Sequence, residues 1–292
     1  MVSTSIQLDR FGAPAYCHGD ATCAPQHSVD SLYTMMMQDV AYSCSDYIYN
    51  DDNSNEVSDD EKPSECAVPI CQKITADDRT KIVDWCYDII DMCQLDRESV
   101  AIAMNIVDRF MSNPCRLPSS EISPDFSHRE ILYDRNKYQL LVVSALYIAI
   151  KVNERVIFSS EKLAAASRWL YSKESIEAME RTILACLHWK VSVPTAFQVG
   201  YVTFELMKAK AQEAHVVMDV KRWEFIQEEL RYQTEIAVRD YQLAVQRPST
   251  VAILAIMNAI EIDQTNNDVE SYLLFKALVE ILEHVKSLTY DV

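Results

Sequence analysis

Between residue 20 and residue 292 the chain holds a single glycine, Gly200; the other two are Gly12 and Gly19. A dinucleotide-binding turn or a phosphate loop needs several glycines where the backbone approaches phosphate, so neither fits. Tight β-hairpins also want glycine or Asn-Gly at positions of positive φ. A chain that is 49% hydrophobic must still bury a large core. With hairpins and glycine loops set aside, the remaining solution is helices joined by ordinary turns, and the expected class is all-α.

The helical pattern is strongest at residues 140–150, LLVVSALYIAI, apolar except for Ser144 and followed by Lys151 and Glu154. A helix apolar on every face belongs at the centre of a bundle, and this run is shorter than the ~20 residues a bilayer needs. Upstream, Thr75-x-x-Asp78 has the form of a capping box with Asp in place of Glu. Ile82, Trp85, Cys86, Ile89 and Cys93 then recur at three-to-four spacing. Asp96 reads as the next N-cap, and Asn113-Pro114 as the stop. Residues 114–134, with three prolines, read as a loop. Helices are expected at 135–152, 159–168 and 173–188. After Val193-Pro194-Thr195 the pattern restarts, with helices at 195–211, 219–241, 249–261 and 269–288, the last open to a break. The third of these contains TVAILAIMNAI, again apolar on nearly all sides. Two bundles, each round an apolar helix, suggest a structural repeat.

Residues 1–73 carry three Lys/Arg and twelve Asp/Glu, a net −9 of the chain's −17. Such an acidic, aliphatic-poor segment is expected to stay mostly disordered, with a short helix near 28–48. A chain of pI about 4.7 offers no basic face for phosphate neutralisation, which argues against nucleic-acid binding. No signal-peptide pattern opens it, and nine cysteines without a C-x-x-C pair suit reduced intracellular thiols. Cys17, His18, Cys23 and His27 match no common zinc spacing, so no metal is expected. Neither an H-E-x-x-H motif nor a nucleophile with a matched base is present, so no catalytic residue and no cofactor is assigned.

The strings RTKIVDWCYDIIDMCQLDRESVAIAMNIVDRFMS (79–112), YQLLVVSALYIAIKVNE (138–154) and MERTILACLHWKVSVPT (179–195) resemble a cyclin box. A looser likeness covers 232–260. The resemblance implies two tandem five-helix bundles: an acidic tail (1–73), an N-terminal cyclin box (74–193) and a C-terminal cyclin-like bundle (194–292). It implies a non-catalytic subunit that binds and activates a cyclin-dependent kinase through the kinase's αC helix, in the nucleus or cytoplasm and without membrane or nucleic acid. By the same resemblance, Lys151 and Glu180 are the kinase contacts, and Arg79 and Asp108 form an internal ion pair. Ile82, Trp85, Asp88 and Gln139 mark a substrate-docking patch that could also take inhibitors, although Asp78 and Lys81 put charges where two apolar residues usually stand. The tail stretch MMMQDVAYSCSDYI is similar to the helix preceding the box in D-type cyclins, which leans toward a G1 or G1/S role. No L-x-C-x-E motif accompanies it. A transcription-associated cyclin and a cyclin-fold scaffold without kinase activation are the alternatives.

Overall fold

The computed structural model describes residues 25–49, 73–112, 128–215, 218–262 and 268–288, and among them every regular element is helical. The first bundle comprises α2 (Ala76–Met92), α3 (Glu98–Ser112), α4 (His128–Tyr133), α5 (Arg135–Asn153), α6 (Ser160–Ala166) and α7 (Lys173–Cys186). The second comprises α8 (Ala196–Glu213), α9 (Val220–Arg239), the short α10 (Tyr241–Ala244), α11 (Pro248–Ile262) and α12 (Asp268–Leu288), completed by α1 (Pro25–Ala41) from the other end of the chain.

Local chemistry sets most helix starts. Thr75 and Asp78 form the capping box of α2, each side chain accepting from the other's backbone N–H at 3.1 Å. Thr195 and Gln198 repeat the device at α8, and Asp134, Ser159, Ser172 and Asp219 cap α5, α6, α7 and α9. Helix ends show the cost of scarce glycine: Gln94, Arg168, Trp169, His188, Trp189 and His215 all adopt positive φ. In three of these turns the chain closes with a bond five residues back: Leu95 to Ile90, Trp169 to Ala164 and Trp189 to Leu184, at 3.0, 2.7 and 2.9 Å. Gly200 is needed for another reason. A Cβ there would lie 2.8 Å from a Leu230 methyl, so its absence lets α8 and α9 approach closely.

The apolar run forms α5, with Leu140 to Ile150 buried throughout, enclosed mainly by α3 and α7, with α4 and α2 completing the surround. The second core gathers Phe204, Met207, Ile226, Leu230, Ile256, Ile260, Leu274 and Ile281, and Leu32 of α1 joins it with 1% of its surface exposed. Asp39 of α1 also accepts from the backbone N–H of Ser249 at 3.2 Å and from its hydroxyl. The cap of α11 thus comes from 210 residues away. Burial raises the Asp39 carboxyl above its ordinary range, against the hydrogen bonds from Ser249.

Several elements differ from expectation. The N-terminal helix runs from residue 25 to 41, followed by a turn and irregular chain rather than helix to 48. The end of the expected loop is α4, whose Leu132 carbonyl accepts from Ile74 N–H at 2.8 Å and whose Ile131 is fully buried. The helix expected over 219–241 stops at Asp240, where extended backbone lets the side chain cap α10, and α12 is unbroken. Cys44, Cys86 and Cys93 are free but Cys186 is disulfide-bonded, which corrects the expectation that all thiols are reduced. Cys17, His18 and Cys23 and most of the acidic tail lie outside the described residues.

Candidate functional site: a paired charge beside an apolar edge

Lys151 stands in the last turn of α5, where a cation complements the negative helix end. Its ammonium pairs with the Glu180 carboxylate of α7, and its Nζ lies 4.2 Å from the centre of the Tyr147 ring. The side chain remains 41% exposed, so the pair lies at the surface of the bundle. Next to it in the chain, Val152 in the last turn of α5 and Val156 and Ile157 just beyond it leave 45%, 56% and 95% of their surface in solvent. Glu154, the next charge along, turns the other way. Its carboxylate accepts from Asp96 N–H at 2.7 Å, at the entry to α3. One helix end therefore supplies both an outward-facing pair and an internal cap.

Arg79 and Asp108 meet in the interior. Arg79 Nη2 and Nε donate to the two Asp108 oxygens at 2.7 and 3.2 Å, and Nη1 donates to Val238 O at 2.6 Å. Burial alone would lower the Arg79 guanidinium; the adjacent Asp108 carboxylate raises it above its ordinary value. The contact ties α2 to α3 and to α9 of the second bundle. Residues 42–49 strap the same joint. Tyr47 donates its hydroxyl to Asp108 at 2.8 Å, and its backbone N–H donates to Tyr241 Oη at 2.9 Å. Ser45 and Ser112 exchange hydrogen bonds, and the Tyr42 ring stacks 4.5 Å from the Arg109 guanidinium. Nothing in the local pattern around Tyr47 signals this role, because its partners are 61 and 194 residues away.

A second crossing links Thr195, which caps α8, to Glu98 of α3 by a hydrogen bond from the threonine hydroxyl. Burial pushes the Glu98 carboxyl up to about 7, against the hydrogen bond from Thr195.

The residues of the docking patch are not equally placed. Ile82 is committed to the first core, Trp85 is half-buried against it, and Asp88 is exposed. Gln139 is half-buried and accepts from Tyr171 Oη at 3.4 Å. The charges nearby are engaged, Lys81 with Asp77 at 2.5 Å and Asp78 with Arg135 at 3.2 Å. Burial alone would raise the Asp78 carboxyl; the hydrogen bonds from Thr75, with Arg135 beside them, hold it below its usual range.

Comparison with known families decides what carries this geometry. Residues 48–192 match the model of the cyclin N-terminal domain. The chain is a cyclin-box protein. Among similar proteins, cyclin-A2-2 of Arabidopsis thaliana is 26% identical over 195 residues, 66% of this chain and 39% of that one. Cyclin-B2-1 of Oryza sativa subsp. japonica is 26% identical over 62% of this chain and 36% of its own. The G2/mitotic-specific cyclin-B3 of Gallus gallus is 23% identical over 64% and 39%. The cyclin-box chain thus spans under two fifths of these relatives' length. Their A- and B-type names give no support to the likeness to D-type cyclins. Among solved structures, a viral cyclin from herpesvirus saimiri shares 16% identity over 75% of this chain and 90% of its own, with a TM-score of 0.48. A chain of the CAK complex of Chaetomium thermophilum shares 11% over 90% and 75%, with a TM-score of 0.45. Among the described residues no helix is long and apolar enough to cross a membrane, and no group of three or more His, Cys, Asp or Glu is placed to hold a metal.

Proposed function

We propose that this cyclin-box protein is the regulatory subunit of a cyclin-dependent protein kinase, bound through Lys151 and Glu180. The observation that carries the reading is the outward-facing Lys151–Glu180 pair with three exposed aliphatic side chains next to Lys151 in the chain. A polar pair can fix orientation, while the aliphatic edge supplies buried area. A kinase needs its own Lys–Glu pair, set by the position of its αC helix. A subunit that prefers the inward αC shifts that population by its differential affinity, and contributes no catalytic group. Nuclear or cytoplasmic action goes with this reading. Trp85, Asp88 and Gln139, with Ile82 beneath them, are the proposed substrate-docking face.

The test is co-purification with candidate cyclin-dependent kinases, comparing wild type with Lys151→Ala plus Glu180→Ala, and assaying kinase activity of the eluate. The expected result is binding and activation by wild type and a loss of about 2–5 kcal/mol of affinity in the variant. Circular dichroism should show the variant still folded, since a pair at the surface adds at most ~1 kcal/mol to stability. Capture of no kinase by folded wild type would sink the proposal and turn attention to a scaffold role.

A further inference from the structure

A lysine ammonium rides on a flexible four-carbon stem, and a partner that fixes it must offset the freedom the stem loses. Lys151 is already restrained before any partner arrives. Tyr147 stands one turn earlier on α5, at the i, i+4 spacing that sets two side chains together on a helix face. Its ring belongs to the first core and keeps 9% of its surface in solvent, so it is a fixed wall. Lys151 Nζ sits over that ring, 4.2 Å from the centroid. Among the described residues the other lysines placed over a ring, Lys162, Lys190 and Lys208, stand 6.0, 5.9 and 5.5 Å away. The closest such contact is therefore the one at the paired charge.

The two restraints differ in kind. Glu180 of α7 accepts one N–H of the ammonium, while the ring face attracts the cation through its quadrupole and accepts no ordinary hydrogen bond. An ammonium has three N–H donors, so donors remain for a partner, and 41% of the side chain is still in solvent. An ammonium held from two helices has less freedom to lose on binding than one on an unsupported stem.

We propose that Tyr147 is a positioning residue, whose ring holds the Lys151 ammonium in the orientation in which it meets the kinase. The assignment rests on the kinase reading and adds to it a residue that acts through Lys151.

The experiment is a double-mutant cycle on kinase affinity, measured with the whole chain. Tyr147→Leu removes the ring and should weaken binding about fivefold, the size of one cation–π contact. Tyr147→Phe keeps the ring and should stay within about twofold of wild type. In a Lys151→Ala background, Tyr147→Leu should change affinity no further, because the ring then has no ammonium to hold. Equal losses from Tyr147→Leu with and without the lysine would show a core-filling role alone, and the proposal fails. Circular dichroism and thermal melting check each fold, and Tyr147→Met replaces the leucine variant if that one does not fold. A second readout needs no kinase. In free protein carrying carbon-13 lysine, the Lys151 ε-methylene protons, assigned by their loss in Lys151→Ala, should be shifted upfield by the ring and return to the common lysine position in Tyr147→Leu. An unshifted wild-type signal overturns this assignment and leaves kinase binding untouched. A shifted signal in a chain that captures no kinase overturns the kinase reading, and the positioning role falls with it.

Discussion

In the first bundle the central helix α5 buries twelve of its residues, whereas its counterpart α11 buries seven and leaves Leu254 and Asn258 in solvent. The difference follows from how each is enclosed. α5 is surrounded by helices of its own stretch of chain, α2 to α7. α11 has only α8, α9 and α12 from its own stretch and borrows α1, with Leu32 as the apolar anchor and Asp39 as the cap. A buried arginine of each bundle, Arg79 in the first and Arg222 in the second, is handled differently. Arg79 faces Asp108 with both groups buried, while Arg222 pairs at 2.5 Å with a Glu270 that keeps 24% of its side chain exposed. The same architecture is thus self-contained in one half and completed from a distance in the other.

Four outcomes would sharpen or break that contrast. Arg79→Ala should cost about 3–5 kcal/mol by urea denaturation, because it strands a buried carboxylate; Arg222→Ala should cost less, since water reaches Glu270. Equal losses would remove the distinction. Leu32→Ala should cost about 2–5 kcal/mol and loosen the second bundle selectively, visible as faster amide exchange in α11 and α12 than in α5. If exchange rises equally in both halves, α1 is not a part of the second bundle alone. Glu98→Gln tests the joint. The native carboxyl holds its proton up to about 7 against an ordinary value of 4.5, so across that window the folded state binds more protons than the unfolded one. Wild-type stability should therefore fall as pH rises from 4.5 through 7, by roughly 3 kcal/mol, and the glutamine variant should lose this slope. Asp39→Ala should cost about 1–2 kcal/mol, the usual value of a cap, with Asp39→Asn costing less. A loss below the error of the melt would show that α11 needs no cap from α1.

How much of this was legible beforehand depended on the distance over which each feature is determined. The 140–150 run located α5 because burial on every side leaves its mark in consecutive residues, and Thr75-x-x-Asp78 located the start of α2 because both halves of the cap lie within one turn. α4 escaped notice since six residues among prolines carry no periodicity. The Asp39 cap, the Tyr47 strap and the Glu98–Thr195 crossing were not readable at all: their partners lie 61 to 210 residues away, and no local rule links them. The site residues Lys151 and Glu180 came from family likeness alone. That they lie against each other, with Tyr147 beneath, is a fact of α5–α7 packing.

The borrowed helix also sets an order of events during synthesis. At roughly 5–20 residues per second, α1 leaves the ribosome some ten to forty seconds before α11 exists to receive it. Over that interval the first bundle can close on material already made, while Leu32 and its neighbours wait without a core. A translation arrest placed between α7 and α11 should leave α1 open to proteases and to chaperones, and release from the arrest should protect it. The half of the molecule that is made last thus determines when the segment made first becomes folded.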